Sequence, residues 1–183
     1  MLSSDFLIAF KRATEARWRE RPINPHISGF QFQPGTRWNL GLSDDKIAEF
    51  EDTFETKFPH DFRAFLRAMN GTDLPTLNVY ASCGEPPREW VGVYSYPRDL
   101  EIVRRLSEEV SRDRVGLTKT MAEEGFALQP TAALVPIYGR RHLVCARSLD
   151  SSVVLSIDGS DDAIVYGNSL KEYLEREFLG ASF

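Results

Sequence analysis

Apolar residues recur most regularly between positions 43 and 71. Ile47, Phe50, Glu51 and Phe54 follow i, i+3, i+4, i+7 spacing, so they share one face of a helix and Glu51 lies beside its apolar stripe. Ser43 stands ahead of Asp44 and Asp45, a cap followed by negative charge where the helix dipole favours it. The pattern breaks at Lys57-Phe58-Pro59 and restarts near His60, where Phe62, Phe65, Leu66 and Met69 repeat the spacing. Asn70-Gly71 reads as the stop of this second helix, because both residues tolerate the left-handed backbone that ends helices. Two amphipathic helices joined by a tight corner are therefore expected.

Upstream, Phe6, Leu7, Phe10, Thr14 and Trp18 predict a helix over residues 5–18, started by Ser4 and Asp5. Pro22, Pro25, Gly29, Pro34 and Gly35 then mark a loop, inside which Phe30 and Phe32 alternate with glutamines as in a short strand. Residues 1–37 thus read as an N-terminal helical arm and loop. Downstream, residues 77–80 and 90–94 are strand-like and flank the loop sequence CGEPPRE. Pro97 opens a helical stretch towards Glu124, with Leu100, Val103, Leu106 or Ser107, and Val110 on one face. Four strands follow, at residues 134–138, 142–147, 152–157 and 163–166. Short turns between them imply antiparallel pairing. Pro136 places the first of these at an edge or in a distortion. Asn168 or Ser169 caps a last helix bearing Leu170, Tyr173, Leu174 and Phe178. The whole reads as a single α+β domain, a mainly antiparallel sheet flanked by helices.

Bulk properties narrow the function classes. A net charge of −5 leaves no basic footprint for nucleic acid or an anionic membrane, and suits a basic protein partner. Cys83 and Cys145 are the only cysteines and lie far apart, which suits free thiols in a reducing compartment. The N-terminal stretch carries Asp5 and lacks a long apolar run, so it resembles neither a signal peptide nor an anchor. A cytoplasmic protein is expected.

Catalytic motifs are sparse. His26, His60 and His142 have no metal-ligand spacing, and no nucleotide-binding or hydrolase motif occurs, so neither metal nor cofactor is expected. The acidic run at residues 158–162 reads as a solvated turn rather than a calcium loop. His142 and Cys145 are three apart on an expected strand, so they point to opposite faces, and Cys145 shares its face with Leu143. Glu51 can serve as a general acid or, the simpler reading, pair with an arginine or accept backbone N–H groups from a nearby loop. Trp90, Tyr94 and Tyr96 are aromatics of the kind that fill cores or anchor interfaces. Arg140 and Arg141, on an expected turn, are either simply solvated or available to an acidic group of a partner.

The segment WNLGLSDDKIAEFEDTFETKFPHDFRAFLRAMNGTD resembles the N-terminal signature of the SUKH superfamily. Trp38, Gly41, Ile47, Glu51, Pro59, Phe62, Phe65, Leu66, Asn70 and Gly71 occupy its positions. The run SVVLSIDGSDDAIVYGNSLKEYLEREF is similar to the family's closing hairpin and helix. The resemblance implies a SUKH-like domain over residues 38–183, with a helical insert at about 97–124. It also implies a non-catalytic, protein-binding role: an immunity protein neutralising a bacterial toxin domain or, alternatively, a regulatory or scaffolding module docking several protein partners. The signature residues are expected to be scaffold, with recognition on later loops and strands. Candidate contacts there are Trp90, Tyr94, Tyr96, Arg140 and Arg141.

Overall fold

The computed structural model describes residues 2–81 and 84–180, so Cys83 and the expectation of its free thiol lie outside the described residues. Helix α1 (Ser4–Glu20) is capped one residue earlier than expected: the Ser3 hydroxyl accepts the Phe6 N–H. Its buried stripe is Leu7, Phe10, Thr14 and Trp18. Helix α2 (Asp44–Thr53) starts at the Ser43 cap, and α3 (His60–Ala68) starts directly after Pro59. Two helices, α4 (Leu100–Ser111) and α5 (Arg114–Glu123), share the expected helical insert and are parted at Arg112 and Asp113. The last, α6 (Leu170–Leu174), begins at the Ser169 cap and runs on as a π-helical turn, Glu175–Leu179.

Among the described residues, nine strands form three sheets, antiparallel throughout. β1 (Gly29–Phe32), β4 (Thr76–Tyr80) and β5 (Glu85–Trp90) pair in the order β1-β4-β5. β2 (Trp38–Leu40) pairs with β3 (Met69–Thr72). β6 (Ala133–Tyr138), β7 (Arg141–Cys145), β8 (Val154–Ile157) and β9 (Ala163–Gly167) form a meander in chain order. Pro136 lies on the edge strand β6, beside a register shift, where its missing N–H is tolerated.

Both faces of the meander are covered, so its strands are buried on alternate sides. Val135, Leu143, Cys145 and Val154 face a core shared with α1, α2, α3 and α6. Leu134, Val144, Leu155 and Ile157 face a second core with Leu117 and Met121 of α5. Fully burying side chains of this size stabilises the fold by roughly 1.5–3 kcal/mol each. The N-terminal arm is built into the first core. Phe10, Trp18, Trp38 and Phe178 form one ring cluster with centroids 5.3–6.3 Å apart. The Trp38 indole N–H donates to the Thr14 hydroxyl at 2.8 Å.

Three local expectations are corrected. The strand lies at Glu85–Trp90 rather than over residues 90–94, so the EPPRE part of the expected CGEPPRE loop is strand. Pro86 and Pro87 are accommodated because β5 is an exposed edge strand and its ladder shifts register opposite them. Residues 91–96 form a buried connector instead, making isolated bonds from the Thr72 N–H to the Val93 carbonyl and from the Tyr94 N–H to the Ile137 carbonyl. Finally, α3 does not end on a left-handed residue: Met69 is already extended, and Asn70-Gly71 belong to β3.

Candidate functional site

The signature carboxylate proves structural. Glu51 is fully buried, and its oxygens accept from the Phe58 N–H at 2.9 Å, from Arg63 at 2.9 and 3.1 Å and from Lys57 at 3.0 Å. It ties the end of α2 to the Pro59 corner and the first turn of α3, which leaves no lone pair aimed at a substrate. The other signature residues also hold the frame. A Cβ on Gly41 would overlap the Arg67 carbonyl at the end of α3. Gly71 has φ +69°, and a Cβ there would lie 2.6 Å from the Val93 carbonyl oxygen. The Asn70 side chain donates to the Tyr96 carbonyl at 2.6 Å and accepts the Tyr96 N–H at 2.9 Å, a substitute ladder rung that fixes the connector. Phe62 is buried between Phe58 and Phe65.

The five candidate contact residues divide. Trp90, Tyr94 and Arg140 line one cleft of about 610 Å³ between the β1-β4-β5 sheet, the C-terminal end of α4 and the β6–β7 and β8–β9 turns. Trp90 is half exposed at the end of β5, with its ring 5.7 Å from that of Phe30. Tyr94 is buried, and its hydroxyl donates to the Gly139 carbonyl at 3.2 Å. Burial and the nearby Asp99 push that phenol up to about 12, so it remains a donor. Arg140 pairs with Asp158, joining the two turns at the rim.

Tyr96 and Arg141 lie elsewhere. Tyr96 is half-buried and stacks on Phe50 at 4.6 Å. Arg141 starts β7 rather than occupying the turn, and its side chain reaches Glu177 at 3.1 Å and Ser156 at 2.6 Å while lying 3.8 Å over the Tyr166 ring. The three aromatics therefore do not make the continuous row that an alternating strand would present.

His142 and Glu109 also line the cleft, and sequence reasoning did not place them there. His142 is buried, and its Nδ1–H donates to the Arg140 carbonyl at 3.0 Å, while the equally buried Nε2 has no hydrogen-bond partner among the described residues. Burial, which outweighs the opposing hydrogen bond to the Arg140 carbonyl and is aided by the neighbouring Arg141 charge, pushes this imidazole down to about 4. Its signal in the sequence was only its position: one residue before Leu143, hence on the opposite face. Cys145 faces the first core, where burial pushes its thiol well above the usual range and keeps it protonated.

Among the described residues, no cluster of three His, Cys, Asp or Glu side chains is arranged to hold a metal ion. No helix among them is long and apolar enough to cross a membrane. No curated protein matches the chain. A family model described as the SMI1 / KNR4 family (SUKH-1) matches residues 41–176, well over half of the chain. That match spans the Glu51 corner, the connector, the cleft-lining turns and all of α6, and the chain belongs to the SMI1/KNR4 (SUKH-1) family.

Proposed function

We propose that this chain is a non-catalytic protein-binding domain, an immunity protein that neutralises a bacterial toxin domain in the cytoplasm by binding it. The observation that carries this reading is the division of labour among its polar and aromatic residues. Glu51, Asn70 and the signature glycines are consumed by the frame, whereas Trp90 remains half exposed on the wall of a large cleft. Tryptophan in such a setting is the residue type that most often anchors protein interfaces. Family membership supports the same reading, and the net charge of −5 suits the basic surface of a nuclease-like toxin.

Catalysis has little support. The Cys145 thiol is protonated and turned into the core, while His142 faces the other side of its strand. The test is co-expression with the toxin domain encoded by the neighbouring gene. Rescue of growth and co-purification of a stoichiometric complex are expected. Toxicity undiminished by a folded, well-expressed chain would overturn the proposal.

A further inference from the structure

The chain contains a single Asn-Gly dipeptide, Asn70-Gly71, and the fold needs both residues. Asn70 clamps the connector: its side chain donates to the Tyr96 carbonyl at 2.6 Å and accepts the Tyr96 N–H at 2.9 Å. Gly71 has a left-handed backbone and packs against residues 93–95, where a Cβ finds no room. Neither residue is replaceable without loss, and together they carry a chemical weakness.

Asparagine is a thermolabile side chain. A following glycine makes it more so, because nothing on that residue shields its backbone nitrogen. The nitrogen loses its proton to a base and attacks Cγ of the asparagine, closing a five-membered succinimide. The Cγ–Nδ2 bond breaks and ammonia leaves. Water then opens the ring at either carbonyl, giving aspartate or isoaspartate. In sum, amide and water become acid and ammonia.

The folded chain blocks the first step. Asn70 is only 5% exposed and Gly71 is buried, so a base in solution cannot reach the Gly71 proton. Both ends of the Asn70 amide are held on Tyr96, and the Asn39 side chain holds the Asn70 carbonyl at 3.2 Å. Turning Cγ onto the Gly71 nitrogen breaks both Tyr96 bonds and leaves buried groups unsatisfied. The connector supplying Tyr96 belongs to no sheet. Isolated bonds hold it, such as Thr72 N–H to the Val93 carbonyl at 3.3 Å and Tyr94 N–H to the Ile137 carbonyl at 3.2 Å. A segment held this way opens locally at less cost than global unfolding.

We propose that Asn70 is a deamidation site, kept silent by its clamp on Tyr96 and exposed whenever residues 91–96 open. The conversion runs one way. A carboxylate at position 70 has no N–H for the Tyr96 carbonyl, so the 2.6 Å contact would join two acceptors. Isoaspartate also adds a methylene to the main chain of β3 and displaces Gly71 from residues 93–95. The connector then cannot close again, and Tyr94, whose hydroxyl reaches the Gly139 carbonyl, loses its place.

In the test, the full chain is incubated in mildly alkaline buffer, either folded, in urea below the unfolding transition, or fully unfolded. Conversion at residue 70 is read by peptide mapping with isoaspartate quantified. It is expected to be at least about a hundredfold slower in the folded than in the unfolded chain. Below the midpoint it should rise with urea less steeply than global unfolding does, the mark of a local opening. Equal rates in folded and unfolded chain would overturn the protection. A rate that follows global unfolding alone would overturn the connector as its gate. Asn70→Asp installs the product directly and should unfold at lower urea or fail to fold, whereas an unchanged midpoint would overturn the one-way conversion.

Discussion

Replacing Glu51 by alanine removes the carboxylate that ties the end of α2 to the Phe58 N–H, Lys57 and Arg63. The side chain is fully buried, Arg63 retains 26% of its side-chain exposure and Lys57 retains 59%. Breaking a buried ion pair by deleting one partner costs about 3–5 kcal/mol, chiefly through the charge left behind. Arg63 can turn partly to water, which brings its share to the lower end of that range. The Phe58 N–H has no such escape, and an unsatisfied buried donor costs about 1–3 kcal/mol. These contributions overlap, so Glu51→Ala is expected to lose about 4 kcal/mol in all.

Lys57 is too exposed for its contact to exceed about 1 kcal/mol. Lys57→Met should therefore be nearly silent and Arg63→Met costly. Glu51→Gln, which keeps the volume and an acceptor for Phe58, should fall between Lys57→Met and Glu51→Ala. Equilibrium urea unfolding at neutral pH reads these differences as midpoint shifts at constant slope. A Glu51→Ala loss under about 1 kcal/mol, or a Lys57→Met loss equal to that of Arg63→Met, would refute the reasoning.

Three further outcomes follow from the same contacts. Gly71→Ala should destabilise by about 2–5 kcal/mol, combining the left-handed backbone penalty with the clash against residues 93–95. A midpoint unchanged in urea would contradict this. His142 takes up a proton in the unfolded chain near its ordinary value of 6.5, but only near about 4 when folded. Its contribution is therefore neutral above pH 6.5, and it lowers stability as pH falls from 6.5 towards 4, by up to about 3 kcal/mol. His142→Phe should remove that part of the slope, which parallel pH profiles of mutant and parent would contradict. Cys145 should resist a maleimide probe in the native state and react on unfolding, and fast native labelling assigned to this position by peptide mapping would show that its burial has been misread.

The helix corner was legible because its signals are local: a 3.6-residue period, the Ser43 cap and a proline at the turn. The reading of Glu51 as a structural carboxylate followed from its place beside an apolar stripe. β5 was obscured because adjacent prolines read as loop, although an exposed edge strand with a shifted ladder accepts them. Residues 91–94 looked like a strand because they are buried, but their burial comes from packing between β3 and β6 rather than from a ladder. Asn70-Gly71 carried a real backbone signal, yet left-handed Gly71 serves a close approach to residues 93–95 instead of a helix end.

The cleft could not be read along the chain. Phe30, Trp90, Glu109 and His142 come from four separate elements, and only tertiary packing brings them to one place. Arg140 and Arg141 are adjacent in sequence, but strand alternation sends one to the cleft rim and the other to Glu177 on the far side.

The most direct measurement is a titration of the purified toxin domain from the neighbouring gene with the purified chain, following toxin activity. The account predicts complete loss of activity at an equimolar ratio and clear relief of that inhibition with Trp90→Ala. A toxin that stays fully active in an excess of folded chain would contradict it.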